Sequence, residues 1–466
     1  MVTHVDVMVL GGGPGGYVAA IRAAQLGRTV AIVEGRWWGG VCLNVGCIPT
    51  KTLLRNAEVA DLVMRHAGTY GISGDVHVDY EPGWRRSRQV AGAMAKGVRF
   101  LMKKNNITAI DGWGAFTGPH SMTVMGQDQV PTRWTFDSAI IATGATSKTL
   151  PDVTVGGRIM TYDHLILSPT VPKSIIIAGA GAIGVEFATV LSSFGSQVTI
   201  VEYLDRLVPS EDETISAELG RAFRKRDIKA LTGMAVQKVD ETADGVIVWA
   251  TPASGGETIT LKAEALLLAL GFAPVTSGFG LDATGVKLDR RGFIEVDETM
   301  RTNVPGIYAI GDVTGKLMLA HVAQAQGILA AESIAGLSTT PLDYAAMPRA
   351  TYCEPQIASL GLTKTQAEAA GHTVKVSRFP FSANGKAQGL GEPVGFVMLV
   401  ADAADGKLLG AHLIGPGVTE LLPELALAKM WDLTTDQIAH TVHAHPTLSE
   451  AIQQTAKGIV GQPIDA

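Results

Sequence analysis

The sequence predicts an α/β chain: two Rossmann-like dinucleotide-binding units followed by a C-terminal α+β domain. Three observations lead there. A strand, a G-x-G-x-x-G turn and a helix occur twice; an acidic residue closes the next strand at the same offset in both copies; and the sequence changes character after about Ala346.

In the first copy Val5 to Leu10 is mostly apolar, as a buried parallel strand is. Gly11, Gly13 and Gly16 supply the turn, Tyr17 to Leu26 the helix, Thr29 to Val33 the second strand, and Glu34 its acidic end. In the second copy the same parts are Ser174 to Ala178, then Gly179, Gly181 and Gly184, then Val185 to Phe194, then Gln197 to Val201 with Glu202. Such glycines let the backbone approach a pyrophosphate at a helix N-terminus, while the carboxylate bonds a ribose. Each unit also has a return strand ending in glycine, Ala139 to Gly144 and Ala265 to Gly271. A further strand, Ile307 to Ile310, meets Gly311-Asp312, and a helix starts near Ala320-His321. Beyond Ala346, strands at Met347 to Pro355, Gly395 to Ala401 and Lys407 to Ile414 are broken up by helices at about Thr363 to Ala370 and Val418 to Met430, the pattern of a mixed domain with an antiparallel sheet. The expected divisions are 1–150, 151–275, 276–345 and 346–466.

The 466 residues suffice for about three or four cores. The net charge of −6 has both signs interspersed, so nothing marks nucleic acid or an anionic membrane as a partner. No apolar run approaches the length of about 18 residues that spans a bilayer. The first residues lack the pattern of a secretory signal, and the expectation is a cytoplasmic protein.

The stretch Gly39 to Lys51, GGVCLNVGCIPTK, holds Cys42 and Cys47, two of the 3 cysteines. Pro49 falls in the first turn of a helix, which puts Cys47 at a helix N-terminus, where the dipole and Lys51 favour thiolate. A stabilising disulfide is disfavoured in so cysteine-poor a chain, and the lone Cys353 supplies no further zinc ligand, so no metal is expected. Spacing alone still leaves two inert buried cysteines open. Near the end, Thr447-Leu-Ser-Glu450 reads as a capping box for a helix Leu448 to Lys457, in the context His443-Ala-His-Pro-Thr.

The cysteine stretch resembles the active-site signature of the pyridine nucleotide–disulfide oxidoreductases, in the branch that oxidises dihydrolipoamide. The resemblance covers essentially the whole chain, with its motifs in the family's order. It implies a homodimeric flavoenzyme with a Cys42–Cys47 redox disulfide: Cys42 is attacked by the substrate thiolate, Cys47 stands against FAD, Lys51 lies near flavin N5, and hydride passes to NAD. Further FAD contacts are implied at Gly11, Gly13, Gly16, Glu34, Gly40, Val41, Gly114, Thr143, Gly144, Asp312, Met318, Leu319, Ala320 and His321, so the central segment must fold back onto the first unit. NAD contacts are implied at Gly179, Gly181, Gly184, Glu186, Glu202, Val236 and Gly271, with Glu186 pairing Lys51. The motif HxHPTxxE resembles the one in which the second His is general base and the Glu orients it; here these are His445 and Glu450, reaching the other subunit's dithiol across the interface domain. Implied partners are lipoyl domains of 2-oxoacid dehydrogenase acyltransferases or the glycine cleavage carrier protein. Glu202 favours NAD, since a carboxylate repels the 2′-phosphate of NADP, although Arg206 is near enough to soften this. A glutathione-reductase-like enzyme, the nearest alternative, usually has arginines in place of Glu202, and a mercuric reductase would carry an extra cysteine pair in the tail. A non-catalytic flavin-binding subunit would have no need of redox and base groups together. Where many relatives carry Glu in the helix after Asp312, Gln324 and Gln326 stand here, which removes a charge near the flavin.

Overall fold

The computed structural model describes residues 2–464. Val2–Leu10 (β1), Val30–Glu34 (β2), Thr108–Gly118 (β3), Ser121–Gly126 (β4) and Pro131–Ile141 (β5) make the first sheet. β1 lies between β2 and β5, parallel to both, and β2 pairs in parallel with the start of β3. The rest of β3 turns antiparallel onto β4, and β4 onto β5, so a meander is fused to the parallel half. β1 begins at Val2 rather than Val5 because its exposed first residues pair with Arg133, Trp134 and Thr135 of β5.

Pro14–Gln25 (α1) crosses from β1 to β2, with proline at the start, where a missing N–H costs nothing. Gly39 and Gly40, at φ +88° and +63°, open the short helix Gly40–Val45 (α2), and Gly46 separates it from Cys47–Arg65 (α3). Tyr80–Lys104 (α4), N-capped by the Asp79 carboxylate, packs against α3.

The second unit repeats the plan with Ile159–Met160 (β6), Ser174–Ala178 (β7), Gln197–Val201 (β8), Lys229–Leu231 (β9), Met234–Glu241 (β10), Val246–Pro252 (β11), Ile259–Ala263 (β12) and Ala265–Leu268 (β13). Its parallel sheet runs β9-β8-β7-β13-β6, and β10, β11 and β12 form a separate antiparallel meander. The predicted strands β7 and β8 hold to the residue. Ala182–Ser193 (α5) crosses between them and is buried without a break from Gly184 to Ser193, because α3 of the first unit covers the side turned away from the sheet.

Two short antiparallel strands, Ala145–Ser147 and Phe272–Pro274, carry the chain out of the first unit and back. Ile307–Ala309 then joins β5 in parallel, and Ala320–Ile334 (α6) lies along α1. Glycine permits the approach: a Cβ at Gly327 would stand 2.6 Å from the Gly15 carbonyl oxygen. The Arg22–Glu332 ion pair and the Gln324 Nε2 to Tyr17 hydroxyl bond (3.2 Å) tie the same two helices.

The C-terminal sheet is antiparallel, in the order Arg349–Thr351, Gln356–Gly361, Leu408–Gly415, Phe396–Asp402, Val374–Pro380. Ile357, Phe396, Met398 and Ile414 share a core with Val198, Leu219 and Phe223 of the second unit. The helix Val418–Met430 falls where predicted, but the last one, Glu450–Val460 (α7), starts two positions later than the predicted Leu448. Only half of the capping box forms: the Glu450 carboxylate takes the Thr447 N–H, while the Thr447 hydroxyl donates to Ala444 O. Among the described residues, no helix is long and apolar enough to cross a membrane.

Candidate active site

The two glycine turns have the same geometry. Gly11 and Gly179 take φ +108° and +107°, in the left-handed region where a side chain is strained, and their N–H groups bond Val33 O and Val201 O. A Cβ at Gly16 would lie 1.9 Å from Gly11 O, and one at Gly184 2.0 Å from Gly179 O. Gly13 and Gly181 are the N-caps of α1 and α5, with no side-chain cap and no acid in the first turn. Each helix start therefore presents unpaired N–H groups and an uncompensated dipole, which is what a pyrophosphate needs. The space beside Gly181 is open: a Cβ there would meet nothing within 4 Å. At the rims, Glu34 accepts the N–H groups of Gly12 (2.8 Å), Arg36 and Trp37, and Glu202 those of Ala180 (2.6 Å) and Leu204 (2.8 Å). The residues present fit two dinucleotides.

Around these cradles, Gly144 and Gly271 both take positive φ as they lead into the paired short strands, and the Thr143 hydroxyl donates to Val275 O. Gly114 gives β3 room beside Leu10, at the end of β1. Val236 sits at a register shift in β10 and packs in the cluster that holds Val201. Arg206 turns its guanidinium to Pro209 O (3.1 Å).

Cys42 lies in α2 and Cys47 is the first residue of α3; both are half-buried. Between them a Cβ at Gly46 would stand 2.9 Å from Val41 O, so the turn that brings the sulfurs together has no room for one. Gly40 backs onto Gly13, which seats the dithiol beside the first cradle, with Val41 exposed at its edge. The two thiols lie close enough to act on each other. The Cys42 thiol, then the Lys51 ammonium and the N–H at the helix start, outweigh burial and bring Cys47 down to about 7. The same interaction, with burial, pushes Cys42 up. The pair is polarised: Cys47 carries the anion and Cys42 keeps the proton.

Lys51 Nζ lies 3.0 and 2.9 Å from the two carboxylate oxygens of Glu186, which is buried on α5. Burial pushes the ammonium down, but Glu186 and Cys47 hold it above its ordinary value. Glu186 also accepts the backbone N–H of Tyr352 (2.9 Å), whose ring centroid is 4.7 Å from Lys51 Nζ. Asp61 fastens α3 to the second unit by pairing Arg226 as well as Arg65.

Gly311 (φ +73°) donates its N–H to Gln326 Oε1 (2.7 Å), and Gln326 Nε2 donates to the Tyr344 hydroxyl (3.0 Å). The next residue, Asp312, is pushed up to about 6 by burial, a setting that suits a polyol hydroxyl as partner. Leu319 and Ala320 form the uncapped start of α6, with Met318 and His321 at the surface and His321 Nε2 2.9 Å from Pro348 O. His445 stands 79% exposed on the C-terminal domain, its Nδ1 2.9 Å from Glu450 Oε1. The side chain of its neighbour His443 is buried and bonded through Nε2 to Glu424 (3.0 Å). The contacts made by Tyr352 and Gln326 carry no sequence motif, and Glu424 lies far from His443 in sequence; none of the three pairings is announced by spacing.

Residues 5–327 match the family described as pyridine nucleotide-disulphide oxidoreductase, and residues 347–456 match its dimerisation domain. A protein from Mycobacterium leprae named dihydrolipoyl dehydrogenase is 52% identical, the alignment covering 99% of this chain and 100% of that one. One of the same name from Corynebacterium glutamicum is 51% identical over 100% of both. The crystal structure of LpdA from Mycobacterium tuberculosis matches with TM-score 0.90 at 27% identity, over 98% of this chain and 99% of that one. The HOCl-induced flavoprotein disulfide reductase RclA from Escherichia coli matches with TM-score 0.87 at 25% identity, over 97% and 99%.

Proposed function

The chain belongs to the pyridine nucleotide-disulphide oxidoreductase family and uses FAD and NAD, and we propose that it acts as a dihydrolipoyl dehydrogenase, oxidising protein-bound dihydrolipoamide to lipoamide at the expense of NAD+. The observation that carries this reading is the polarised dithiol beside a nucleotide cradle, with Lys51 and Glu186 behind it.

The cycle starts with Cys42 and Cys47 joined as a disulfide. His445 takes a proton from dihydrolipoamide, and the substrate thiolate attacks Cys42 Sγ. The Cys42–Cys47 bond breaks and Cys47 leaves as a thiolate, the form its helix start and Lys51 favour. The second substrate thiol then attacks the sulfur joined to Cys42, gives its proton to the Cys42 sulfur it displaces, and closes lipoamide, while the first proton leaves from His445 to solvent. Two electrons have moved from substrate to protein. A bound FAD would supply the two-electron acceptor for that pair and the hydride donor for NAD+. Gly11, Gly13, Gly16, Glu34 and Asp312 would hold it, and Gly179, Gly181, Gly184 and Glu202 the nicotinamide nucleotide.

Glu450 holds Nδ1 of His445, which leaves Nε2 to exchange the proton, and it stabilises the imidazolium so formed. The dimerisation domain supports a homodimer. Within it, His445 serves the partner's dithiol; lipoyl domains of acyltransferases or of a glycine cleavage carrier deliver the substrate, and the enzyme works in the cytoplasm. The test offers NADH and NADPH in turn with lipoamide, glutathione disulfide or neither. NADH-driven lipoamide reduction, abolished by Cys47→Ser, is expected. Preference for NADPH, or for glutathione disulfide, would transfer the protein to the glutathione-reductase-like class.

A further inference from the structure

Lys51 and Glu186 come from the two nucleotide-binding units, but a third part of the chain touches both. Tyr352 follows the edge strand Arg349–Thr351 of the dimerisation domain. Its backbone N–H bonds Glu186 Oε1 at 2.9 Å, and its ring lies under the Lys51 ammonium at 4.7 Å. Tyr352 packs against the buried cluster of Leu53, Leu54 and Ala57 of α3, Tyr80 of α4 and Val190 of α5, and Glu354 N–H bonds the Thr189 hydroxyl two residues on (3.3 Å), so this segment is fixed at two points on α5.

We propose that Tyr352 is a positioning residue of the dithiol site, by which the dimerisation domain of the same subunit holds Lys51 and Glu186 in place behind Cys47. The inference rests on the disulfide-reductase reading of Cys42 and Cys47, but not on which disulfide the enzyme uses. A ring face attracts an ammonium through its quadrupole, and the N–H fixes one carboxylate oxygen, so the cation has one place to stand. The charged and titratable groups that act most strongly on Tyr352 are Lys51 and Cys47 on α3, Glu186 on α5 and Glu420 on the helix Val418–Met430. Of these, Lys51 alone is a cation.

The test is a pH titration of the Cys47 thiolate in FAD-loaded protein carrying Cys42→Ser, so that one thiol of the pair remains. The readouts are the long-wavelength absorbance of a thiolate beside oxidised flavin and the rate of alkylation by iodoacetamide; neither requires lipoamide turnover. Tyr352→Leu is expected to move the midpoint up by about half to one unit, and Tyr352→Phe, which keeps the ring and the N–H, to leave it in place. Lys51→Met moves the midpoint up on its own, and adding Tyr352→Leu then moves it no further, since the ring acts through the ammonium. A midpoint unchanged in Tyr352→Leu, or a shift that persists on the Lys51→Met background, overturns the proposal. Tyr352→Met, unbranched and able to fill irregular space but without a ring face, takes the place of Tyr352→Leu if that variant does not fold. Loss of lipoamide turnover in the parent protein would strike at the substrate reading and leave this result standing.

Discussion

Cys42 and Cys47 are the same side chain in two settings, and the difference between the settings supplies the chemistry. Cys47 begins a helix near an ammonium; Cys42 lies beside Cys47 and keeps its proton. A thiol depressed to about 7 loses its thiolate as pH falls through that value, so displacement of Cys47 from the disulfide weakens below it. In the reduced enzyme the same depression stabilises the fold above the unfolded thiol's value, a contribution lost as pH falls through about 7. Lys51→Met removes the cation and leaves Glu186 facing the thiolate; the midpoint is expected to rise by at least half a unit in the titration described above, and an unchanged midpoint would remove Lys51 from the mechanism. His445 makes a separate prediction. With Glu450 holding Nδ1, His445→Gln is expected to lower kcat with dihydrolipoamide by about 10²- to 10⁴-fold, while electron flow from NADH to an artificial acceptor that bypasses the dithiol persists. Equal loss of both activities would mean a structural role for His445. The sequence exposes Cys42, Cys47, Lys51, His445 and Glu450 because each sits in a contiguous motif. Tyr352 works through a backbone N–H and a ring face, which leave no pattern in the order of residues.

At the scale of elements, the glycine turns separate steric need from ligand need. A Cβ at Gly16 or Gly184 would lie far inside van der Waals contact with a carbonyl oxygen, so alanine there must deform the turn, at a cost of about 1–3 kcal/mol or more. Gly16→Ala is expected to yield protein without bound flavin. Gly184→Ala is expected to stay yellow and raise the KM for NADH, whereas Gly181→Ala, with open space before it, should keep parental thermal stability and lose NADH affinity all the same. Flavin absorbance, melting temperature and NADH kinetics on the three variants decide this; a Gly181→Ala protein with parental KM would mean that no ligand approaches that glycine. Elements bounded by glycine or charge are legible in the sequence, as β7, β8 and the helix Val418–Met430 show. The strand Gln356–Gly361 is not: it is buried on both faces with small residues, Ala358, Ser359 and Gly361, so it shows neither alternation nor a bulky apolar run. The start of α7 differs from its predicted place: the Thr447 hydroxyl donates to Ala444 O, a contact that a four-residue pattern cannot reveal.

For the whole molecule, the question is which subunit's histidine serves which dithiol. His445 is largely exposed in a single subunit, although a general base gains most where water is excluded, and it belongs to the domain that makes the dimer. A site shared between subunits accounts for both facts, and it can be tested by complementation. A subunit with Cys47→Ser keeps its base but has no dithiol chemistry; one with His445→Gln keeps its dithiol but has no base. Each homodimer is inactive toward lipoamide whichever arrangement holds. In a mixed dimer with bases exchanged across the interface, the intact dithiol of one subunit meets the intact histidine of the other, and one of the two sites is whole. With bases used within their own subunit, neither site is. Co-expression under two affinity tags, purification through both, and assay with NADH and lipoamide should therefore recover clear activity. A mixed dimer as inactive as its parents would place base and dithiol in the same subunit. Dilution adds an independent check: if the site is shared, turnover per subunit falls at concentrations where a sedimentation profile shows monomer, although bound flavin, whose proposed cradle lies within one chain where α1 and α6 pack together, remains.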